Sequence, residues 1–309
     1  MKRREVLKLA VAAGVAGQSA SSFAQQNTYP TRPIELVVAF GAGGGTDVLA
    51  RSLAEGMRSH LPQPIVVNNK PGASGSIGMA DVANSPADGY KLSLLTVEVT
   101  ILSHIGVGKV TPQDFTPIAR LNFDPAAITV RADAPWNTIE EFLEAVRKKP
   151  ETVSVGNAGP GSIWHVAATA LEAKTGVKVI HVPFQGAGPA VLALAGGHVD
   201  AVAVSPAEVS AQVQAGKLKT LAVMSDQRVK GFEKVPTFKE RGIDLNKLGA
   251  WRGVAGPKGL SPQVVGTLSD AIKLAVNEPS YKQALEKLNL ESPRVSRRPV
   301  GLSHSVVAV

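Results

Sequence analysis

Residues Glu35–Met57 read "ELVVAFGAGGGTDVLARSLAEGM". An apolar run passes straight into a glycine knot and then into a segment that puts Val48, Leu49, Leu53 and Met57 on one helical face. A near-continuous apolar run suits a strand buried on both faces, as in a parallel sheet. Strand, glycine loop and helix in that order leave backbone N–H groups at a helix N-terminus, a ready place for an anion. The stretch argues for an α/β fold and raises the question of what the knot holds.

The same plan recurs outward from it. "QPIVVNN" reads as a strand, "KPGASGSIG" as a second glycine loop, and Ile77–Asn84 as a short helix. "ADGYKLSLLT" gives a turn and another strand. After two extended runs, Thr138 caps a helix with Glu141 three positions on, a capping-box spacing. "TVSVGNAGPGSIWHVAATALEAKTG" and "VKVIHVPFQGAGPAVLALAGG" repeat strand, loop and helix. A helix is expected from Pro206, and another capped by Ser261 with Pro262 in its first turn. Alternating strands and helices predict an α/β fold with mainly parallel sheets and flanking helices.

Four glycine knots fall at predicted strand ends: Gly41–Thr46, Pro71–Gly78, Gly156–Ser162 and Gln185–Pro189. Open α/β sheets bind ligands at the carboxyl ends of their strands. Glycine also permits tight βα turns with no further purpose. That reading covers any one loop more easily than all four. Two knots lie early and two about a hundred residues later, so two lobes would each offer a pair of N–H-lined nests to one cleft.

The knots do not fit nucleotides. No lysine follows the glycines at 41–45, as a phosphate loop requires, and Thr46 stands where the dinucleotide fingerprint needs its last glycine. No cofactor is expected. The six histidines, His60, His104, His165, His181, His198 and His304, form no metal spacing, and neither G-x-S-x-G nor S-x-x-K occurs. Ser162 and His165 lie three apart at a helix start, but no orienting acid stands out for a nucleophile. Ser162 reads as a helix cap that also holds a ligand. His165 is either a ligand donor or a packed helix residue, and Asp47 a cap or dipole partner.

The chain has 309 residues, 44% hydrophobic and 19% charged, which is a globular composition with ample length for a core. It has no cysteine, so no disulfide is available to hold the fold. "MKRREVLKLAVAAGVAGQSASSFAQQ" has a basic start, a short apolar stretch and small residues, as in a signal peptide cut after Ala24. "RREVLK" resembles the twin-arginine export pattern; the general export route stays open beside it. The leader carries four basic residues against one acidic, so the formal +8 of the whole chain falls to about +5 after cleavage. That charge mildly favours anionic ligands. Without a basic–aromatic cluster it does not indicate nucleic acid.

The segments "YPTRPIELVVAFGAGGGTD", "VVNNKPGASGSIG", "SPADGYKL", "VGNAGPGSIWH", "HVPFQGAGPA", "GGHVDAVAVSPAE", "AGKLKTLAV" and "WRGVAGPKGLSP" occur in that order. Together they closely resemble the periplasmic substrate-binding receptors of tripartite tricarboxylate transporters, the Bug-type solute-binding proteins, over roughly residues 28–292. The resemblance implies a two-lobed periplasmic binding protein of the Venus-flytrap type. Lobe one would span residues 27–123 and 224–309, and lobe two residues 124–223. It also implies a non-enzymatic, monomeric receptor that takes a small carboxylate, with di- and tricarboxylates favoured. The receptor would deliver that ligand to membrane components of a transporter, or alternatively to a sensor; a secreted enzyme using the cleft is the third reading.

Carried over by motif, Gly43, Gly44, Gly45, Thr46, Asp47, Gly72, Ala73, Ser74 and Gly75 would form the lobe-one side of the site. Asn157, Gly161, Ser162, His165, Phe184, Gln185, Gly186 and Ala187 would form the lobe-two side, with Thr96 and Ser205 adding hydroxyls. Two departures stand out. Leu192, Ala193 and Leu194 replace the acidic residue that many relatives carry after "GxxPA". After Pro293 the basic "RVSRRPVGLSHSVVAV" replaces the expected helix, which reads as a truncated or frame-shifted terminus that leaves apolar lobe-one surface uncovered.

Overall fold

The computed structural model describes residues 29–245 and 247–287. The expected export leader and the sequence after Pro293 lie outside the described residues.

The apolar run before the first glycine knot becomes strand β1 (Ile34–Val38), and the knot hands it to helix α1 (Gly45–Gly56). Strands β2 (Ile65–Asn69) and β3 (Lys91–Thr96) flank β1, both parallel to it, with Leu36 in register with Val67 and Leu92. Between them runs helix α2 (Ser76–Ala83). Strand β4 (Phe115–Pro125) leads out of this sheet. After one residue, Ala126, strand β5 (Ala127–Arg131) enters a second sheet.

That second sheet adds β6 (Ser154–Asn157), β7 (Ile180–Pro183), β8 (Ala201–Val204) and β9 (Leu218–Val223). Its helices are α3 (Ile139–Lys148), α4 (Ile163–Thr175), α5 (Ala187–Ala195) and α6 (Pro206–Gln214). Strand β10 (Gly249–Pro257) returns to the first sheet, and helices α7 (Pro262–Ala275) and α8 (Pro279–Lys287) follow.

The strand orders are β2-β1-β3-β10-β4 and β7-β6-β8-β5-β9. The fold is therefore two-lobed α/β, each lobe a five-stranded sheet with helices against it. Each sheet contains one reversed strand: β10 is antiparallel to β3 and β4, and β5 to β8 and β9. These are the two strands by which the chain arrives from the other lobe.

The first core is built on one face of β1 by Leu49 and Leu53 of α1, one helical turn apart. Leu268 and Ile272 of α7 and Tyr281 and Leu285 of α8 close over them. Gly56 lets α1 lie close to α7, since a β-carbon there would stand 3.2 Å from the Ala275 carbonyl oxygen. The second core gathers Ile128, Phe142, Trp164, Leu171 and Val202. Ser162 and Ser261 accept hydrogen bonds from the backbone N–H three residues on, at 3.2 and 3.3 Å, and Pro262 opens α7.

Both crossings meet at one place. The Ala126 N–H donates to the Leu248 carbonyl at 2.8 Å, and the Met224 N–H donates to the Ala126 carbonyl at 2.7 Å. The outward crossing falls two residues beyond the expected boundary. The return differs more: Met224, Phe232 and Phe238 are buried in the second core, so residues 224–248 pack with lobe two and the chain regains lobe one at β10. Their burial, invisible as a periodic pattern in this irregular segment, is what fixes them there.

Candidate ligand cleft

The knots face one another across the two lobes. In the first, the Gly43 N–H donates to Asp47 Oδ2 at 3.0 Å with Gly43 at φ 81°, a conformation open to glycine. Asp47 also accepts from Arg51 Nε at 3.1 Å and from Asn69 Nδ2 at 2.9 Å. Burial pushes its carboxyl up, but the hydrogen bonds from Arg51, Gly43 and Asn69 outweigh that and hold it below the usual range. Asp47 thus locks the loop that presents Gly44, Gly45 and Thr46.

In the second knot Gly72, Ala73, Ser74 and Gly75 all have positive φ, two of them without the glycine freedom that makes this cheap. The Ser74 hydroxyl donates across the cleft to the Pro160 carbonyl at 2.6 Å. On the lobe-two side, Asn157 Oδ1 accepts from the Gly159 N–H at 2.9 Å, shaping the third knot. The fourth knot meets the first backbone to backbone. The Gly41 N–H donates to the Gln185 carbonyl at 2.8 Å, and a β-carbon on Gly188 would stand 2.9 Å from Gly44 N.

Beneath these loops lies a buried cluster of charge. Arg252, 1% exposed on β10, donates through Nε to Thr46 Oγ1 at 2.9 Å, through Nη1 to Asp124, and through Nη2 to Glu208 Oε1 at 3.3 Å. Asp124 is 3% exposed, and the Glu208 side chain, which reaches in from α6 of lobe two, is also 3% exposed. Glu208 accepts the Gly45 N–H at 3.2 Å and the Ser205 N–H at 3.1 Å. Glu98, 2% exposed and in the turn after β3, accepts the Thr96 hydroxyl and, at 3.0 Å, the Ile163 N–H at the start of α4.

The two lobes have therefore exchanged carboxylates. Lobe one's helix α1 begins on a glutamate of lobe two, and lobe two's helix α4 begins on a glutamate of lobe one. An acidic group at a helix N-terminus is favoured by the orphan N–H groups and the helix dipole. Burial pushes both glutamates above the usual carboxylate range, against the opposing pull of their hydrogen bonds and of Arg252.

Two cavities occupy the cleft. The inner one, about 20 Å³, is lined by Gly44, Gly45, Thr46, Thr96, Glu98, Trp164, Ala187, Glu208 and Arg252 among others. That is room for about one water. The outer one, about 360 Å³, lies against Gly72–Gly75, Gly159, Pro160, Phe184 and Gln185. Phe40 and Ala158 line both, so the two are compartments of one cleft.

The candidate residues thus divide. Gly44, Gly45, Thr46, Thr96 and Ala187 border the inner compartment, and Gly72, Ala73, Ser74, Gly75, Phe184 and Gln185 the outer. Gly43, Asp47, Asn157, Gly161, Ser162, His165, Gly186 and Ser205 line neither. Ser162 caps α4, and His165 Nδ1 accepts the Gly161 N–H at 3.2 Å. The His165 ring lies edge-on to His181, 4.8 Å between centroids, and His181 Nε2 is 3.1 Å from Glu172. Burial, then His181, holds His165 below the usual histidine range.

Sequence reasoning passed over Glu98, Asp124, Glu208 and Arg252. For Glu98, Asp124 and Arg252 the signal that could have found them is a lone charge in an apolar run: "LLTVEVTIL", "LNFDPAAITV" and "WRGVAG" each hold one. A charge buried with its strand must be paired. Among the described residues no group of three or more His, Cys, Asp and Glu is placed to hold a metal ion, and no helix is long and apolar enough to cross a membrane.

Residues 49–298 match the family model described as "Tripartite tricarboxylate transporter family receptor". The chain is 33% identical over 301 residues to a UPF0065 protein in the gbd 5' region of Cupriavidus necator, covering 94% of this chain and 90% of that one. Among solved structures it is similar to a solute-binding protein from Polaromonas without ligand, at 57% identity and a TM-score of 0.63, covering 86% of this chain and 91% of that one. It is also similar to MatC from Rhodopseudomonas palustris with bound malate, at 30% identity and a TM-score of 0.81, covering 86% and 92%.

Proposed function

The chain belongs to the tripartite tricarboxylate transporter receptor family, and from that premise we propose that it is a periplasmic receptor that closes two lobes on a small carboxylate and hands it to the membrane components of a transporter. The observation that carries this reading is the cleft itself. Four glycine loops from two lobes converge on it, and hydrogen bonds cross it between backbone groups and side chains.

The junction at Ala126, Met224 and Leu248 gives the lobes a common pivot. Hinge closure about a few such residues is a standard route from an open to a closed binding protein. The structural likenesses fit it: the malate-bound neighbour, far less similar in sequence, superposes better than the ligand-free one. Lobes that rotate against each other lower the match of two whole chains without changing either fold. The leader-like N-terminus supports a periplasmic address, and the resemblance together with the neighbour's malate supports the di- or tricarboxylate preference.

The test is thermal unfolding of residues 25–309 with a panel of mono-, di- and tricarboxylates. A ligand at about 100 times its Kd adds about 2.7 kcal/mol, which for a chain of this size raises the Tm by about 5–10 °C. A shift of that size with a carboxylate supports the reading. Cooperative melting with no shift from any carboxylate overturns it.

A further inference from the structure

The third glycine knot hangs on a histidine. Gly161 is buried at φ 76°, and its N–H donates to His165 Nδ1 at 3.2 Å. A ring nitrogen that accepts carries no proton, so this bond selects the neutral imidazole with its hydrogen on Nε2. The same turn touches lobe one. The Pro160 carbonyl accepts the Ser74 hydroxyl at 2.6 Å, and a β-carbon on Gly161 would collide with Ile105 in the segment after β3. Gly159 and Pro160 also line the outer compartment. One imidazole lone pair therefore holds a turn that carries both a wall of the cleft and contacts between the lobes.

The ring is itself held. It lies edge-on to His181 of β7, 4.8 Å between centroids, and His181 Nε2 is 3.1 Å from Glu172 Oε2. Glu172 Oε1 accepts the Val179 N–H at 2.8 Å, which ties the carboxylate to the loop before β7. α4 itself carries Glu172 and Lys174, β7 brings His181, and Lys178 stands in the loop between them. Glu98 of lobe one meets the start of α4 at the Ile163 N–H. Of the strands packed on α4, β6 and β8 carry no charged residue, and Arg252 of β10 is engaged with Thr46, Asp124 and Glu208.

We propose that His165 is a proton-sensitive catch on the third knot: neutral, it positions Gly161 and the turn before it for closure, and protonated at Nδ1 it lets that turn go. Protonation would set a donor against a donor. The buried Gly161 N–H would lose its acceptor, and an unpaired buried donor is penalised beyond the loss of the bond itself. His165 lines neither compartment, so it acts on binding as a positioning residue through Gly161. Burial, then His181, holds its ring below the usual histidine range, with Glu172 pulling the other way. The catch therefore holds at neutral pH and opens as pH falls below about 6.5. Its consequence for binding rests on the receptor reading; its geometry does not.

The experiment follows the Gly161 amide and the His165 ring nitrogens by nitrogen-15 NMR in residues 25–309, from pH 8 to pH 5. The two should titrate together, with one midpoint below about 6.5. Across that midpoint the Gly161 amide should lose about 10-fold in protection from solvent exchange, after correction for the intrinsic pH dependence of exchange. His165→Asn keeps an acceptor where Nδ1 stands but cannot titrate, so its Gly161 amide should stay protected throughout. His165→Leu removes the acceptor and should show the low-pH amide already at pH 8. Calorimetric titration with L-malate at pH 8 and 5.5 adds the functional readout. Acid should weaken binding by about 10-fold more in wild type than in His165→Asn.

A Gly161 amide that keeps its protection while His165 protonates, or a His165 ring that stays neutral down to pH 5, overturns the proposal and leaves the receptor standing. So does malate binding that weakens equally in wild type and in His165→Asn. If that variant does not fold, the wild-type amide titration decides by itself. Absence of a thermal shift from the whole carboxylate panel takes down the receptor reading, while the amide titration still reports on the catch.

Discussion

Replacing Arg252 by Met tests the buried cluster most directly. Methionine keeps much of the side-chain volume and removes the charge and its donors. The wild-type guanidinium bonds Thr46 on α1, Asp124 on β4 and Glu208 on α6, and is 1% exposed. Its loss leaves Asp124 and Glu208 buried without their counter-charge. Breaking a buried pair from one side costs about 3–5 kcal/mol. At roughly 2–4 °C per kcal/mol for a chain of this size, the Tm should fall by about 6–20 °C.

The same reasoning fixes a pH signature for that variant. Burial already raises the Glu208 carboxyl above its unfolded value, and without Arg252 the main opposing pull is gone. Groups raised in this way weaken the fold as pH rises above the ordinary carboxylate range, and do no harm below it. The gap between wild type and Arg252→Met should therefore be widest near pH 8 and shrink towards pH 4. Thermal unfolding followed by circular dichroism at both pH values, in low salt, reads both effects. Arg252→Lys keeps the charge but not the three-way fork and should fall between. A loss of less than about 2 °C at pH 8 would refute the reasoning, because a buried cation holding two carboxylates cannot be that cheap to remove.

Gly45→Ala would place a β-carbon 2.9 Å from Arg252 Nη2 and 3.0 Å from Glu208 Oε1, so it should cost about 1–3 kcal/mol and weaken ligand binding, measured by unfolding and titration. Ser162→Ala removes the cap of α4 and should cost about 1 kcal/mol, a Tm drop of about 2–4 °C. Burial pushes Asp81 up, but its hydrogen bonds to Lys70 and Lys91 outweigh this and hold it below the usual range. Its share of stability is present above the unfolded carboxylate pKa and lost as pH falls through the depressed one. Asp81→Asn should therefore flatten the acid limb of a Tm profile from pH 5 to 3. Glu98 is raised by burial and acts in the opposite sense, so Glu98→Gln should flatten any loss of stability between pH 5 and 8 in the unliganded protein.

Much of the architecture is set by local sequence. The apolar run into Gly41–Gly45, the proline at 206 and the Ser261–Pro262 pair placed β1, α1, α6 and α7 within a few residues, because hydrophobic period and capping chemistry act over a single turn or strand. The glycine loops that border the cleft were legible for the same reason: a loop that must approach another backbone, or take positive φ, needs glycine.

What tertiary structure alone decided lies at longer range. Residues 224–248 join lobe two because Phe232 and Phe238 find room in its core, which no local pattern announces. Ser162 caps α4 and His165 accepts the Gly161 N–H, while Glu98 and Glu208, 110 positions apart, reach across the cleft to cap each other's lobe. Sequence shows which groups are charged; only the fold shows which charges share one low-dielectric space. There Arg252, Asp124 and Glu208 join elements of both lobes.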